Sequence, residues 1–253
     1  MREKTTMCTA MVAAAAAGML LLSGCGGKSG DDAGSAAAPS GANGKAPAAA
    51  PSKSASPPAE SRTLPGVGSA MYAKVPGSTR QAVVVTGAGP KSADSTLTLF
   101  TRSGGLWHRG PSWPAHNGDH GWTTAHHEND RKSPVGVFTL HDAGGVLADP
   151  GAKLPYHQSQ SFTPPAWWAP SYQHDFDYVI AIDFNRVVGT SPNDPTRPLG
   201  ETKGGGIWLH MDHGSGSSAC VTLSKTGMRY LLRTLTPADH PVVVMGDKAD
   251  LAS

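Results

Sequence analysis

The chain is poor in charge, in long apolar runs and in cysteine. Its 253 residues are 16% charged and carry a formal net charge of +2, with no polybasic stretch, so nucleic acid is excluded as an expected partner. The one apolar run, near the N-terminus, is shorter than the roughly 20 residues of a spanning helix, so a permanent transmembrane helix is not expected. Only three cysteines are present, and they lie far apart.

The first 24 residues are typical of an export signal. Arg2 and Lys4 give a basic start, an Ala- and Leu-rich core runs from Met11 to Leu22, and small residues follow. The end of this segment, Leu22-Ser23-Gly24-Cys25, resembles a bacterial lipobox, which implies that Cys25 becomes the lipidated first residue of the mature protein. The alternative is an ordinary secretory signal with a cysteine beside its cleavage site.

The next segment, residues 25–62, contains Gly, Ala, Ser and Pro and no aromatic residue. It cannot bury enough apolar surface to offset the entropy lost on ordering, so we predict a disordered tether. From residue 63 to residue 253 the composition becomes richer in β-branched and aromatic residues. About 190 residues suffice for one domain with its own core.

Short runs with alternating or β-branched residues, bounded by Gly, Pro, Asn or Asp, predict strands through this domain. They are Gln81 to Thr86, Ser95 to Thr101, Leu106 to Arg109, Val135 to Leu140, Tyr178 to Phe184, Gly206 to His210, Cys220 to Leu223 and Pro241 to Met245.

One helix is predicted after the last cysteine. Met228, Leu231, Leu232 and Leu235 have helical spacing, and Ser224 is placed to cap the helix start. Many strands and one helix predict a mostly β fold, a sandwich or barrel, with this helix packed beside the strand that begins at Cys220.

Cys220 has no partner for a disulfide, because Cys8 leaves with the signal and Cys25 would carry lipid. A leftover cysteine in an exported protein indicates a reactive thiol, although a buried and inert cysteine is the alternative. The preceding loop, Gly214 to Ala219, is made of small residues, so its backbone can approach a substrate closely. The amides of Ala219 and Cys220 are the predicted donors of an oxyanion hole.

A thiol needs a base to become a nucleophile at neutral pH. His210 lies at the polar end of the apolar run Ile207 to Leu209, across the Gly/Ser-rich loop from Cys220, and is our predicted base. His213 is the second candidate for the same role.

Two segments together resemble the YkuD-type L,D-transpeptidases. The first is Gly206-Ile207-Trp208-Leu209-His210, a Gly-rich loop, and Ser217-Ser218-Ala219-Cys220-Val221-Thr222-Leu223-Ser224. The second is the upstream run Asp130-Arg131-Lys132-Ser133-Pro134-Val135-Gly136-Val137-Phe138, which is similar to the family's Thr/Ser-Pro-x-Gly-x-Phe strand entry.

The resemblance implies a YkuD-like sandwich or barrel in which Cys220 is the nucleophile and His210 the base. The family orients this histidine through the backbone carbonyl of the next residue, here Met211. Trp208, Ser218 and Ala219 complete the implied oxyanion-hole and substrate-binding set. Histidine is usual in the family where this chain has Ser218, and glycine where it has Ala219. No cofactor and no metal are implied.

The implied activity is peptidoglycan L,D-transpeptidation, which forms 3-3 crosslinks between stem peptides through a cysteine thioester. The alternatives are an L,D-carboxypeptidase using the same site and a catalytically inactive wall-binding lipoprotein. In each case we expect a protein outside the cytoplasmic membrane, anchored to its outer face by lipid and facing the cell wall.

Other features have weaker functional interpretations. A histidine-rich stretch could bind zinc, but its spacing matches no closed site. Trp167 and Trp168, between prolines, could contact a wall strand or stem peptide, or cover the core. The acidic residues Asp183, Glu201 and Asp212 could orient a histidine or bind an acceptor amine. The histidines of the stretch are His116, His120, His126 and His127.

Overall fold

The computed structural model of the protein describes residues 60–253. The predicted signal segment, Cys25 and most of the predicted tether lie outside the described residues. The described part is mostly β, as predicted, with one mixed sheet of 11 strands and a separate pair of short strands. No helix among residues 60–253 combines the length and apolar character that a membrane crossing needs.

The strands are β1 (Glu60–Ser61), β2 (Gln81–Gly87), β3 (Asp94–Ser103), β4 (Leu106–His116), β5 (Trp122–Thr123), β6 (Ser133–Pro134), β7 (Gly136–Thr139), β8 (Ala143–Gly145), β9 (Tyr156–Gln158), β10 (Val179–Ala181), β11 (Trp208–Met211), β12 (Val221–Leu223) and β13 (Val242–Asp247). The α-helices are α1 (Ser69–Tyr72), α2 (Lys225–Thr234) and α3 (Lys248–Leu251).

The sheet order is β7-β13-β2-β3-β4-β12-β11-β10-β8-β9, and β1 pairs with β4. Apolar side chains are buried on both faces of its central strands, because successive residues of a strand point to opposite faces. Val83 and Val85 of β2 belong to the larger core cluster, whereas Ala82 and Val84 pack into a second cluster with Trp107. This two-sided burial fits the predicted sandwich.

Helix α2 confirms the one predicted helix. The Ser224 hydroxyl accepts a hydrogen bond from the Gly227 amide, 3.2 Å away, and so caps the helix start. Met228, Leu231 and Leu232 are fully buried in the larger core. Helix α2, which follows β12 in the chain, therefore packs against the sheet as predicted.

All the predicted strands overlap observed strands, with shifted ends. The two-residue strand β1 differs from the prediction: Glu60 and Ser61, which fall within the predicted tether, pair with His108 and Trp107. The folded domain therefore begins before residue 63. The other unpredicted strands, β5, β6, β8 and β9, are too short for alternation to be visible in sequence.

The parallel pair β11–β12 sets the geometry around Cys220. Leu209 pairs with Val221 and His210 with Thr222, so Cys220, just before β12, lies across from Trp208. Side chains alternate in phase on neighbouring strands. Leu209 and Val221 therefore point together into the core, and His210 and Cys220 share the opposite face.

Candidate active site

Cys220 is the one free cysteine of the described residues, and it is partly exposed. The Trp208 amide donates a hydrogen bond to its sulfur at 3.4 Å, and the thiol lies 3.6 Å from the Gly206 carbonyl oxygen. The residue also borders two cavities. Cys220 is thus not enclosed by aliphatic side chains, as an inert core cysteine would be.

His210, on β11, is buried beside the same cavity as Cys220. Its Nδ1 lies 2.8 Å from the Met211 carbonyl oxygen, the contact that the family resemblance implied. A neutral imidazole has one N–H, so this bond places the proton on Nδ1 and leaves Nε2 as the acceptor. The Phe176 ring packs edge-on against the imidazole, with centroids 5.0 Å apart, and fixes its orientation.

Burial keeps both groups uncharged at neutral pH. It lowers the pKa of His210 to about 4, although the Met211 carbonyl opposes the shift. The surrounding protein also desolvates the partly exposed Cys220 thiol and raises its pKa to about 12, against the stabilising effect of the Trp208 N–H. A neutral thiol and a neutral imidazole therefore face the cavity, and formation of a thiolate would require a proton acceptor near the sulfur.

Two cavities border Cys220. One, of about 160 Å³, has the aromatic wall Trp168, Tyr172 and Phe176 and contains His210. The other, of about 350 Å³, is polar and bordered by acidic, basic and imidazole side chains: His126, Glu128 and Arg131. Arg131, Ser218 and Cys220 border both cavities. Cys220 therefore lies where the two cavities adjoin.

The peptide before Cys220 is held by a buried serine that we did not predict as a site residue. The Ser133 hydroxyl donates to the Ala219 carbonyl oxygen at 2.6 Å and accepts from the Gly118 amide at 2.9 Å. In a trans peptide the C=O and the next N–H point in opposite directions, so the Cys220 N–H points away from Ser133. The only sequence signal for Ser133 was its place in the upstream motif.

Ala219 does not require the conformation that favours glycine. The non-glycine residues with positive φ in the described part are Asn129, Arg131, Asn185 and His240. The methyl group of Ala219 therefore causes no backbone strain. Neither its amide nor that of Cys220 donates a hydrogen bond to another group among residues 60–253. Both amides remain available to a developing oxyanion.

The loop before Cys220 is paired with the chain around Gly118. Ser217 forms a parallel bridge with Gly118, donating to the Asn117 carbonyl at 2.9 Å and accepting from the Asp119 amide at 2.8 Å. The backbones approach so closely that a Cβ on Gly216 would lie 2.7 Å from the Asp119 Cα. The glycine thus permits the contact that fixes the loop.

His213 borders the aromatic cavity, but both its ring nitrogens are occupied. Nδ1 is hydrogen-bonded to the Asp175 carboxylate at 2.9 Å, and Nε2 lies 3.3 Å from the Gly216 carbonyl oxygen. Burial raises the pKa of Asp175 to about 6, although His213 opposes the shift. This geometry favours His210 over His213 as the base. No sequence pattern singled out Asp175.

The remaining predicted substrate-site residues lie at the thiol. Ser218 is exposed where the two cavities meet. Trp208 contributes its backbone N–H, and its ring packs edge-on between Phe162 and Phe176 at centroid distances of 5.9 and 5.3 Å.

The three acidic candidates do not join this site. Asp212 accepts hydrogen bonds from Thr222 at 2.6 Å and from His116 at 2.8 Å. Asp183 is buried in an ion-pair network with Arg186, and Glu201 lies 3.2 Å from the Arg197 guanidinium. All three contacts stabilise local structure.

The histidine-rich stretch is spread over separate environments. His116 pairs with Asp212, whereas His126 lies 3.0 Å from Asp130 beside the polar cavity. Within the described residues, no group of three or more His, Cys, Asp or Glu side chains is arranged to hold a metal ion. The geometry gives no support to the zinc alternative.

Comparisons with known proteins identify no family. No protein-family model matches the chain, and no curated protein matches it. Two similar solved structures are Bdellovibrio bacteriovorus Bd1075, at 18% identity and a TM-score of 0.39, and the helical cell shape determining protein Pgp2 from Campylobacter jejuni, at 15% and 0.37. They cover 72% and 66% of this chain, which spans 53% and 47% of theirs, about half their length. Similarity at this level carries no argument about function.

Proposed function

We propose that the chain is a cysteine acyltransferase of the cell wall, an L,D-transpeptidase that forms 3-3 crosslinks between peptidoglycan stem peptides. The observation that carries the proposal is the arrangement of Cys220. This solitary thiol shares one face of a strand pair with an imidazole whose Nε2 is free to accept a proton, and it opens to two cavities. The substrate class comes from the sequence resemblance.

In the first step, Cys220 Sγ attacks the amide carbonyl carbon between the L-centre of the stem diamino acid and the terminal D-alanine. The thiol proton passes to Nε2 of His210 as the C–S bond forms. The amides of Ala219 and Cys220 stabilise the oxyanion. Collapse breaks the C–N bond, His210 returns the proton to the leaving amine, and a thioester remains.

In the second step, a side-chain amine of a neighbouring stem attacks the thioester and gives its proton to His210. The C–S bond breaks, and the thiolate takes the proton back. The aromatic cavity holds the acyl donor, and the polar cavity gives the acceptor amine a separate approach. After the first step the acyl donor is bound to the sulfur as a thioester and occupies the aromatic cavity. The acceptor amine must therefore enter through the polar cavity to reach the thioester carbonyl.

Product analysis tests the reaction class. Purified protein incubated with disaccharide-tetrapeptides should yield 3-3 crosslinked dimers and free D-alanine, detected by liquid chromatography and mass spectrometry. Tripeptides without dimers would identify an L,D-carboxypeptidase, in which water takes the place of the amine. An unchanged substrate together with an unreactive Cys220 would identify an inactive wall-binding lipoprotein and contradict the proposal.

We also propose that a lipid on Cys25 anchors the protein to the outer face of the cytoplasmic membrane. More than one acyl chain on this residue would give stable binding, at about 0.8 kcal/mol per buried methylene. Cys25→Ser should move the protein from the membrane pellet to the soluble fraction after cell lysis and ultracentrifugation. Cys8→Ser is the matched control, and unchanged membrane retention of Cys25→Ser would contradict lipidation.

A further inference from the structure

The loop that borders the aromatic cavity presents a tryptophan to solvent. Trp167 is 83% exposed, more than any other large hydrophobic side chain of the described residues. Its neighbour Trp168 is half-buried and borders the cavity that contains Cys220. A single exposed apolar side chain is common on protein surfaces. Trp167 differs because it adjoins a cluster of aromatic rings that ends at this cavity.

Hydrogen bonds hold this loop in place. The Gln173 side-chain amide donates to the carbonyl oxygens of Pro165 and Trp168, at 3.1 and 3.2 Å, and the Trp168 amide donates to Pro165 at 2.9 Å. Prolines at 164, 165 and 170 restrict the backbone further. Trp167 is therefore presented by an ordered loop, which lowers the entropy lost when a ligand binds.

Contacts between aromatic rings link Trp167 to the aromatic cavity. The rings of Trp167 and Trp168 meet at 76° with centroids 6.0 Å apart, and Trp168 contacts Tyr172 at 6.0 Å and Phe176 at 6.3 Å. Most of the Trp167 indole is exposed and free to contact a ligand. Trp167 thus adjoins Trp168, which borders the aromatic cavity.

The surrounding sequence is uncharged. Residues 158–173 contain no Asp, Glu, Lys or Arg, but they include serine, threonine and glutamine side chains. The charged groups of the adjoining cavity are paired with each other: Arg131 with Asp119, and His213 with Asp175. The loop itself therefore offers no unpaired charge to a charged peptide and no Lys or Arg to an anionic membrane surface. A neutral ligand with a flat apolar face and a rim of hydroxyl groups fits this surface. Pyranose rings have this chemistry.

We propose that Trp167 and Trp168 form a platform that binds the pyranose rings of a neutral glycan strand, beside the cavity that contains Cys220. The sugar C–H face stacks on the Trp167 indole, and nearby amide and hydroxyl groups bond its rim. Binding of a glycan to the platform requires no reaction of Cys220, so the platform and the proposed function can be tested separately. Under that function it would hold the wall strand whose stem peptide enters the cavity.

The test is isothermal titration calorimetry of the full chain with a soluble tetramer of N-acetylglucosamine. We expect the wild type to bind, Trp167→Ala to weaken binding at least about tenfold, and Trp167→Phe to retain most of the affinity. Leu199→Ala, which truncates another exposed apolar side chain, is the matched control and should bind as the wild type does. Melting temperature and Cys220 acylation should be unchanged in all variants.

Equal affinity of the wild type and Trp167→Ala would overturn the platform, as would no binding by the wild type at millimolar tetramer. A Trp167→Ala defect in binding anionic vesicles, or in self-association by sedimentation, without a sugar defect would assign the surface to another occupant. Tetramer binding with no acylation of Cys220 would leave the platform intact and contradict the transpeptidase proposal.

Discussion

Replacing Cys220 by serine is expected to abolish covalent acylation and to reduce turnover by about a thousandfold or more. The serine hydroxyl is a far weaker nucleophile than sulfur, and loss of a catalytic nucleophile typically has an effect of this order or larger. The measurement is the intact mass of the protein after incubation with a carbapenem-type acylating probe. Peptide mapping then locates the adduct, because Cys8 and Cys25 also carry thiols in the unprocessed chain.

Ser215→Ala provides the control, since Ser215 is an exposed residue of the same loop with no hydrogen bond through its side chain in the described structure. It should acylate at the wild-type rate. An adduct of equal yield on Cys220→Ser, at another residue, would remove Cys220 from the mechanism.

Replacing His210 by glutamine is expected to slow acylation by about a hundredfold to ten-thousandfold, the usual contribution of a general base. The wild type should also show a distinctive pH profile. Burial lowers the pKa of His210 to about 4 and raises the pKa of the Cys220 thiol to about 12. The imidazole loses its ability to accept a proton only below pH 4, so the rate should fall there and stay flat from about pH 5 to 9. Stopped-flow acylation rates across this range provide the measurement.

His213→Ala is the matched control. It leaves the buried Asp175 carboxyl group without its partner and should lower the free energy of unfolding by about 2 to 3 kcal/mol. Acylation per folded molecule should stay within about tenfold of wild type, because Nε2 of His210 is untouched. If His213→Ala abolished acylation while His210→Gln preserved it, the base would be His213. Denaturant unfolding separates the stability effect from the kinetic effect.

Local sequence patterns predicted the longer strands of the main sheet and helix α2, because each of these segments contains enough residues to display a period. The run of β3 and the spaced apolar residues of α2 are examples, although β3 is buried on both faces from Leu97 to Phe100 rather than on alternate residues. The two-residue strands β1, β5 and β6 have no period to detect. They form because distant segments meet, as when Ser61 reaches Trp107.

The site was predictable where its members are close in sequence. His210, Met211 and Cys220 belong to one strand-loop-strand unit, and the structure places His210 and Met211 on β11 and Cys220 directly before the parallel strand β12. Ser133 and Asp175 escaped notice as site residues because they reach the loop from other parts of the chain. Their contacts depend on how the folded sheet brings distant segments together rather than on any local spacing.

The raised pKa of Cys220 has a further consequence for the chemistry of its thiol. Disulfide exchange and oxidation to sulfenic acid both proceed through the thiolate. Desolvation raises the pKa of this partly exposed thiol to about 12, so little thiolate is present at neutral pH. Spontaneous disulfide exchange and oxidation at Cys220 should therefore be slower than at an ordinary exposed cysteine, whereas the acyl transfer proposed above generates the thiolate only as His210 accepts the proton.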